Sequence, residues 1–251
     1  PEIRLEALWL LGRTLLLQEE TAGAQQAYTV AAGLAAQLPR NPMSVPVLQE
    51  AQAVHVWARW RRREFGNLVL FFPPQSPIAD EILEFKADLA GRLKLLNDTF
   101  GVDVPGKIYL FIYNGADHRQ DVFPAPGRWV DAEVRIGHVL RAEGAGEVFL
   151  AVLTYAGGKG ASLPTCPFLV QGMASQQSPA DRAILERLGE LALAEQLPPV
   201  EKLAAAQEIT PDVRMAGRIF AQMLEEEFGR KRFLAFWYGY NREKDPFRTL
   251  L

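Results

Sequence analysis

Histidines, which could bind a metal or move a proton, are few in this sequence and are not paired with one another. No two of its histidines stand four residues apart, the spacing that places two ligands on one face of a helix. His118 and Asp121 share a polar stretch and form a loose pair that could hold an ion. His138, Glu143 and Glu147 could form a second, novel set of ligands, but the isolated position of each histidine is more typical of a structural or incidental role. The three histidines are His55, His118 and His138.

The side chains that could act as nucleophiles are not placed for covalent catalysis. Cys166, the single cysteine, stands between Thr165 and Pro167 without a basic neighbour in the sequence. No serine lies in a nucleophile-elbow motif. The glycine-rich stretch 157–160 is not followed by Lys-Ser or Lys-Thr, so it predicts a loop rather than a phosphate cradle.

Bulk composition describes a folded chain without an unusual partner preference. The 251 residues are 49% hydrophobic and 23% charged, which excludes a disordered tail and a collagen-like repeat. The net charge of -3 gives no global attraction for nucleic acid, and no apolar run is long enough for a membrane span. The chain begins at Pro1 rather than Met, so an upstream signal or anchor, and with it secretion or membrane association, stays open.

The elements that must position these residues begin with a helical hairpin. Leucines at three- and four-residue spacings predict one helix up to Leu16, and a second is predicted from Ala24 to Leu38. Gly12, Ala24 and Ala31 would let the two helices approach closely, with Tyr28 between them. We therefore predict a first domain over residues 1–46, hairpin and linker, and a second over residues 47–251.

The sequence pattern of the second domain predicts an α+β fold. A helix over 47–63 ends in the cluster Arg59 and Arg61 to Arg63, which could bind phosphate but is more typical of a solvated face opposite inward-packed Trp57 and Trp60. Strands are predicted over 65–72, 107–113 and 129–136, and helices over 78–100, 147–155, 168–176, 182–193, 213–228 and 230–238. The fold class is α+β: a small mixed sheet with a packed helix, followed by a helical subdomain.

Two family resemblances emerge from these residues. The hairpin, with Trp9-Leu10-Leu11-Gly12 followed by Ala24, Tyr28 and Ala31, resembles a single tetratricopeptide unit, although an unrelated hairpin would give the same pattern. Residues 60–240 resemble a peptidase MA-like (gluzincin) domain in the order of their elements. The most specific piece is the segment 167–174, Pro-Phe-Leu-Val-Gln-Gly-Met-Ala, which is similar to the family's Pro-x-Trp-Leu-x-Glu-Gly-x-Ala.

The gluzincin resemblance implies a zinc site whose ligands are missing from this sequence. Zinc hydrolysis needs two histidines one helical turn apart, a glutamate beside the first, and a distant carboxylate. If Glu147 corresponds to the catalytic glutamate, Gly146 and Leu150 stand where the histidines should be. Gln171 stands in place of the third ligand. The resemblance therefore implies a degenerate site without metal or cofactor.

Loss of the ligands predicts a pseudo-peptidase that serves as a protein–protein interaction or structural subunit. The alternatives are a divergent zinc peptidase with non-standard ligands around Glu147, and a module that binds an extended peptide at a strand edge. Aromatic side chains could form the contact surface with a protein partner, or could instead pack inward. The candidates are Trp9, Tyr28, Phe236, Trp237 and Tyr238, the last three within the aromatic run 233–240.

Overall fold

The protein is a mixed α+β structure divided into two compact units. The computed structural model describes residues 2–104, 106–124, 130–175, 181–194, 196, 198–199, 202–203 and 210–243, which contain ten α-helices and one five-stranded sheet. One unit comprises Pro1–Ala87, Gly106–Val130 and Arg135–Gly144, and the other comprises Asp88–Pro105, Asp131–Val134 and Ala145–Leu251. Among the described residues, no helix combines the length and apolarity needed to cross a bilayer.

Three helices begin the first unit: α1 (Glu2–Leu17), α2 (Thr21–Gln37) and α3 (Ser44–Trp57). The predicted close approach of the first two is confirmed, because a Cβ on Gly12 would lie 2.9 Å from the Tyr28 ring. Ala24, Tyr28 and Ala31 are fully buried. Helix α3 packs on α2, so the unit that contains the hairpin continues past residue 46.

Arg61 to Arg63 of the arginine cluster lie on a strand rather than at the end of a helix, which corrects the predicted helix over 47–63. Strand β1 (Arg61–Phe65) pairs antiparallel with β2 (Leu68–Phe72) through the two-residue turn Gly66-Asn67. Gly66 has φ +60°, the conformation that glycine adopts readily at the first central position of such a turn. The turn at Gly66-Asn67 and the pairing with buried β2 therefore favour a strand over Arg61–Phe65, although the preceding residues have a helical pattern.

The sheet has the order β1-β2-β3-β5-β4. Its centre is parallel: β3 (Ile108–Tyr113) lies between β2 and β5 (Ile136–Leu140). The single strand predicted over 129–136 is wrong in extent, because β4 covers only Val130–Asp131 and a turn separates it from β5. Asp131 Oδ1 accepts the backbone N–H of Val134 in that turn, and Arg135 has φ +60°. Trp129 lies outside the described residues.

The remaining helices bear out the predicted helical second half. Helix α4 (Ile82–Phe100) contributes its later part to the second unit, where Leu89, Leu93 and Leu96 are buried as their spacing predicts. A short helix that the sequence does not signal, α5 (Ala116–Val122), belongs to the first unit. The helices of the second unit are α6 (Gly146–Gly157), α7 (Pro167–Ala174), α8 (Asp181–Leu193), α9 (Pro211–Phe228) and α10 (Arg230–Gly239).

Candidate functional site

The four residues that the gluzincin resemblance would place at a zinc site lie on α6 and α7 of the second unit. Gly146 is the first residue of α6, Glu147 follows it half-buried, and Leu150 is fully buried one turn later. Gln171 is half-buried on α7. Every residue from Val148 to Thr154 is buried, so the helix that would present ligands is an apolar core helix.

Gly146 leaves no space for any side chain. A Cβ built there would overlap the carbonyl oxygen of Ala174, and it would lie 3.0 Å from the carbonyl carbon of Ala174 and from Arg92 Nη1. Two of these three atoms belong to backbone, which cannot rotate away as a flexible side chain can. The start of α6 is therefore packed directly against the end of α7.

Helix α7 is held in this place by a second close approach, to α9. A Cβ on Gly172 would overlap the backbone of Gly217 and Arg218, and a Cβ on Gly217 would overlap the carbonyl oxygen of Phe168. Paired glycines allow two helix backbones to come closer than ordinary side chains permit. Helix α7 contacts α6 on one side and α9 on the other, so close backbone contacts oppose any shift of α7 that would make room for a larger residue at position 146.

The described side chains provide no ready metal site. Within the described ranges, no three histidine, cysteine, aspartate or glutamate side chains are grouped so that they could hold a metal ion. His118 stacks on Trp60 with ring centroids 5.9 Å apart. His138 has its Nδ1 2.8 Å from the Tyr113 hydroxyl. These two histidines therefore pack against aromatic side chains in the first unit.

The aromatic candidates for a contact surface are mostly in the core, in agreement with the alternative that they pack inward. Trp9, Tyr28, Phe236 and Trp237 are buried, and Tyr238 is half-buried. Trp237 Nε1 donates to Thr154 Oγ1 at 2.9 Å, and the Phe100 ring meets the Trp237 ring edge to face at 5.5 Å. The run over 233–240 thus packs on helices of its own unit.

A buried charged cluster in the first unit is absent from the sequence-based expectations. Glu50 on α3 accepts hydrogen bonds from Trp9 Nε1 at 3.0 Å, from Tyr28 Oη at 2.6 Å and from Arg13 Nε at 3.0 Å, all at Oε2. Arg13 Nη2 also pairs with Glu50 Oε1 at 2.7 Å, and its guanidinium lies 3.7 Å from the Trp9 ring centroid. Burial and the Glu50 carboxylate raise the pKa of Tyr28 well above its usual value. One signal was present: Arg13 lies on the apolar face that Leu5, Trp9 and Leu16 define.

A second buried polar group lies on the sheet of the same unit. Trp57 Nε1 donates to the Tyr113 hydroxyl at 3.1 Å, and that hydroxyl lies 2.8 Å from His138 Nδ1. Because the indole can only donate, the Tyr113 hydroxyl accepts from it. We therefore infer that the hydroxyl donates its own hydrogen to Nδ1 of a neutral His138. The imidazole stacks between Phe111 and Phe123, with ring centroids 5.0 and 4.4 Å away. The two buried groups meet at one small internal cavity, which Arg13, Glu50 and His138 help to line.

We expect His138 to make the stability of the chain depend on pH. Burial, followed by the charges of Arg13 and Arg119, lowers the pKa of His138 well below its usual range. In the unfolded chain the imidazole takes up a proton below about pH 6.5, whereas in the folded chain it stays neutral. The free energy of unfolding should therefore decrease as the pH is lowered below about 6.5, by up to about 1.4 kcal/mol per pH unit.

Urea unfolding of His138→Phe across pH 7.5 to 5 (about the range in which histidine titrates) checks this expectation. The variant should have a flatter pH dependence than the parent chain. His55→Gln is the matched control, because it removes an exposed histidine of α3 instead of the buried one. Equal slopes for the parent chain and His138→Phe would contradict the assignment.

Comparison with models of known protein families gives no match, and comparison with curated protein sequences gives none either.

Proposed function

We propose that this chain is a catalytically inactive, gluzincin-like pseudo-peptidase that serves as a protein–protein interaction or structural subunit. The observation that carries the proposal is the packing at Gly146. At the position of the first histidine, a Cβ atom would overlap the backbone of α7, so an imidazole has no place there. The two other ligand positions hold Leu150 and Gln171.

The chemistry of the remaining donors supports the inactive interpretation. Leu150 has no donor atom, and the amide of Gln171 is a poorer ligand for a divalent cation than a carboxylate. If Glu147 corresponds to the family's general base, it still needs a metal-bound water to activate in this mechanism. Without the ligands, the apolar residues of α6 contribute to the core instead of to a reaction site.

The interaction role is supported by apolar side chains that the first unit leaves in solvent. Ile3, Leu10 and Leu11 on α1 are 84%, 41% and 48% exposed, on the side of the helix away from Leu5 and Trp9. The other face of the hairpin is covered by α3 and its Glu50 cluster. A tetratricopeptide-like hairpin with one covered and one open apolar face is suited to packing on a further protein surface.

Metal content of the purified chain tests the proposal. Untagged protein is purified without chelators, incubated with or without zinc, desalted and analysed for bound elements. We expect zinc far below one equivalent in both samples. Zinc retained at one equivalent through desalting would overturn the proposal, and peptidase activity that follows the zinc content would establish the divergent zinc peptidase in its place.

A further inference from the structure

Strand β1 leaves one side of its backbone available for pairing. It is the end strand of the sheet, and among the described residues no strand lies on its outer side. Phe65 and Leu68 flank the two-residue turn as a hydrogen-bonded pair, so the pairs alternate along the hairpin from there. Arg62 and Glu64 occupy the non-hydrogen-bonded positions, and their N–H and C=O groups therefore point away from β2.

The position of Arg63 supports this direction of the backbone. Arg63 Nη1 donates to the carbonyl oxygen of Arg62 at 3.3 Å, which requires that oxygen to be accessible from the outer side of the strand. The contact is long for a hydrogen bond and joins exposed groups, so an incoming strand can replace it. Its replacement would release the Arg63 guanidinium for a new partner.

Three exposed arginines without carboxylate partners flank this edge. Arg59, Arg61 and Arg63 are exposed, and among the described residues none of them forms a salt bridge. Arg62, by contrast, pairs with Glu64 at 2.9 Å, and Glu64 also pairs with Lys107 at 2.5 Å. Side chains alternate between the faces of a strand, so Arg61 and Arg63 share one face of the sheet.

We propose that the outer edge of β1 binds an extended acidic peptide segment of a partner protein, which adds to the sheet as a further strand. The backbone groups of Arg62 and Glu64 would pair with the peptide backbone. Carboxylates at alternate positions of the peptide would face Arg61 and Arg63, with Arg59 next to the end of the strand. The charge of this edge is opposite to that of the chain as a whole, which is -3, so an acidic partner is selected locally.

This inference deepens the proposed function, because it rests on the interaction role and names the class of partner. Different results would contradict the proposed function and this inference. Stoichiometric zinc would overturn the pseudo-peptidase and leave the edge intact, whereas a failure of peptide binding would remove the edge and leave the metal result unchanged.

Fluorescence anisotropy with the full chain tests the edge. The probe is a short labelled peptide in which glutamate and valine alternate, and the comparison peptides carry lysine for glutamate or N-methyl groups on alternate backbone amides. We expect the acidic peptide to bind, and the N-methylated peptide, which has the same charge but fewer backbone donors, to bind at least about tenfold more weakly.

Charge-reversed variants locate the binding. Arg61→Glu/Arg63→Glu should weaken binding of the acidic peptide by at least about tenfold. The control Arg4→Glu/Arg40→Glu changes the net charge equally at two exposed arginines on α1 and after α2, and it should bind like the parent chain. Thermal melting confirms that both variants are folded.

Several outcomes would overturn the proposal. The arginines could instead serve only to prevent β1 from pairing with other chains, and in that case the acidic peptide would not bind. Equal weakening by both double variants, or equal binding of the N-methylated peptide, would indicate non-specific charge attraction. Binding of single-stranded RNA in place of the peptide would assign the arginines to phosphate recognition.

Discussion

A histidine at position 146, where the gluzincin resemblance would have the first zinc ligand, should destabilise the second unit instead of creating a metal site. In Gly146→His the new Cβ overlaps the carbonyl oxygen of Ala174 before the imidazole is placed. Overpacking against backbone costs about 3 kcal/mol, and burial of a polar ring without partners adds to that cost. We expect a lower urea midpoint and no bound zinc, also when Leu150→His and Gln171→Glu are added.

A pair of alanine substitutions isolates the steric cause from the chemistry of histidine. Alanine is normally better than glycine inside a helix by about 1 kcal/mol. Gly91 on α4 has open space at its Cβ position, so Gly91→Ala should stabilise the chain by roughly that amount. Gly146→Ala should have the opposite sign, because even a methyl group meets the backbone of α7.

Unfolding in urea, followed by far-ultraviolet circular dichroism, measures both alanine variants and the histidine variants. A Gly146→Ala chain as stable as Gly91→Ala would show that α6 and α7 can separate, and the steric argument for an inactive site would be lost. A triple variant that stays folded and retains zinc through desalting would show that only the ligands, and not the space for them, are missing.

Removal of the Glu50 carboxylate should be the most damaging single change in the first unit. The Arg13 and Glu50 side chains are only 5% and 3% exposed. In Glu50→Ala the Arg13 guanidinium stays buried without its carboxylate, and the Trp9 indole and the Tyr28 hydroxyl lose the same acceptor. Breaking a buried ion pair from one side costs about 3–5 kcal/mol, so we expect a loss of that size in the free energy of unfolding.

A double variant separates the effect of the buried Arg13 charge from the effect of the lost side-chain volume. Arg13→Met/Glu50→Leu removes both charges, and it should recover much of the stability that Glu50→Ala loses. Asp98→Ala is the exposed control: Lys94 and Asp98 are 76% and 63% exposed, and loss of their pairing should leave the free energy of unfolding close to that of the parent chain. A Glu50→Ala chain within about 1 kcal/mol of the parent would show that the cluster does not hold the helices together.

The Glu50 cluster links the hairpin to α3, so the hairpin cannot be removed without exposing or unpairing groups of the core. Its acceptor lies on α3, whereas its donors Trp9, Arg13 and Tyr28 lie on α1 and α2. Deletion of residues 1–46 would therefore leave a glutamate on α3 without its buried partners. Surface substitutions such as those on β1 keep this core intact, and they are the better way to examine binding.

Elements whose signals are local could be predicted from the amino-acid sequence. Apolar periodicity predicted most of the helices, and the run of β-branched and aromatic residues predicted β3. The small residues of the hairpin predicted its close packing around Tyr28. The composition of α6 also showed that the histidine ligands are absent, because residue identity alone decides which donor atoms exist.

The positions of the buried polar groups and the close contacts between backbones depend on tertiary packing, which no local pattern predicts. The pairing of Arg61–Phe65 with a buried strand turned a predicted helix end into a sheet edge, and a turn at Asp131 divided one predicted strand into two. The partnership of Arg13 with Glu50 joins residues far apart in the chain, so no local pattern encodes it. The absence of space at Gly146 depends on the backbone of Ala174, and a glycine has no side chain whose type could signal that contact.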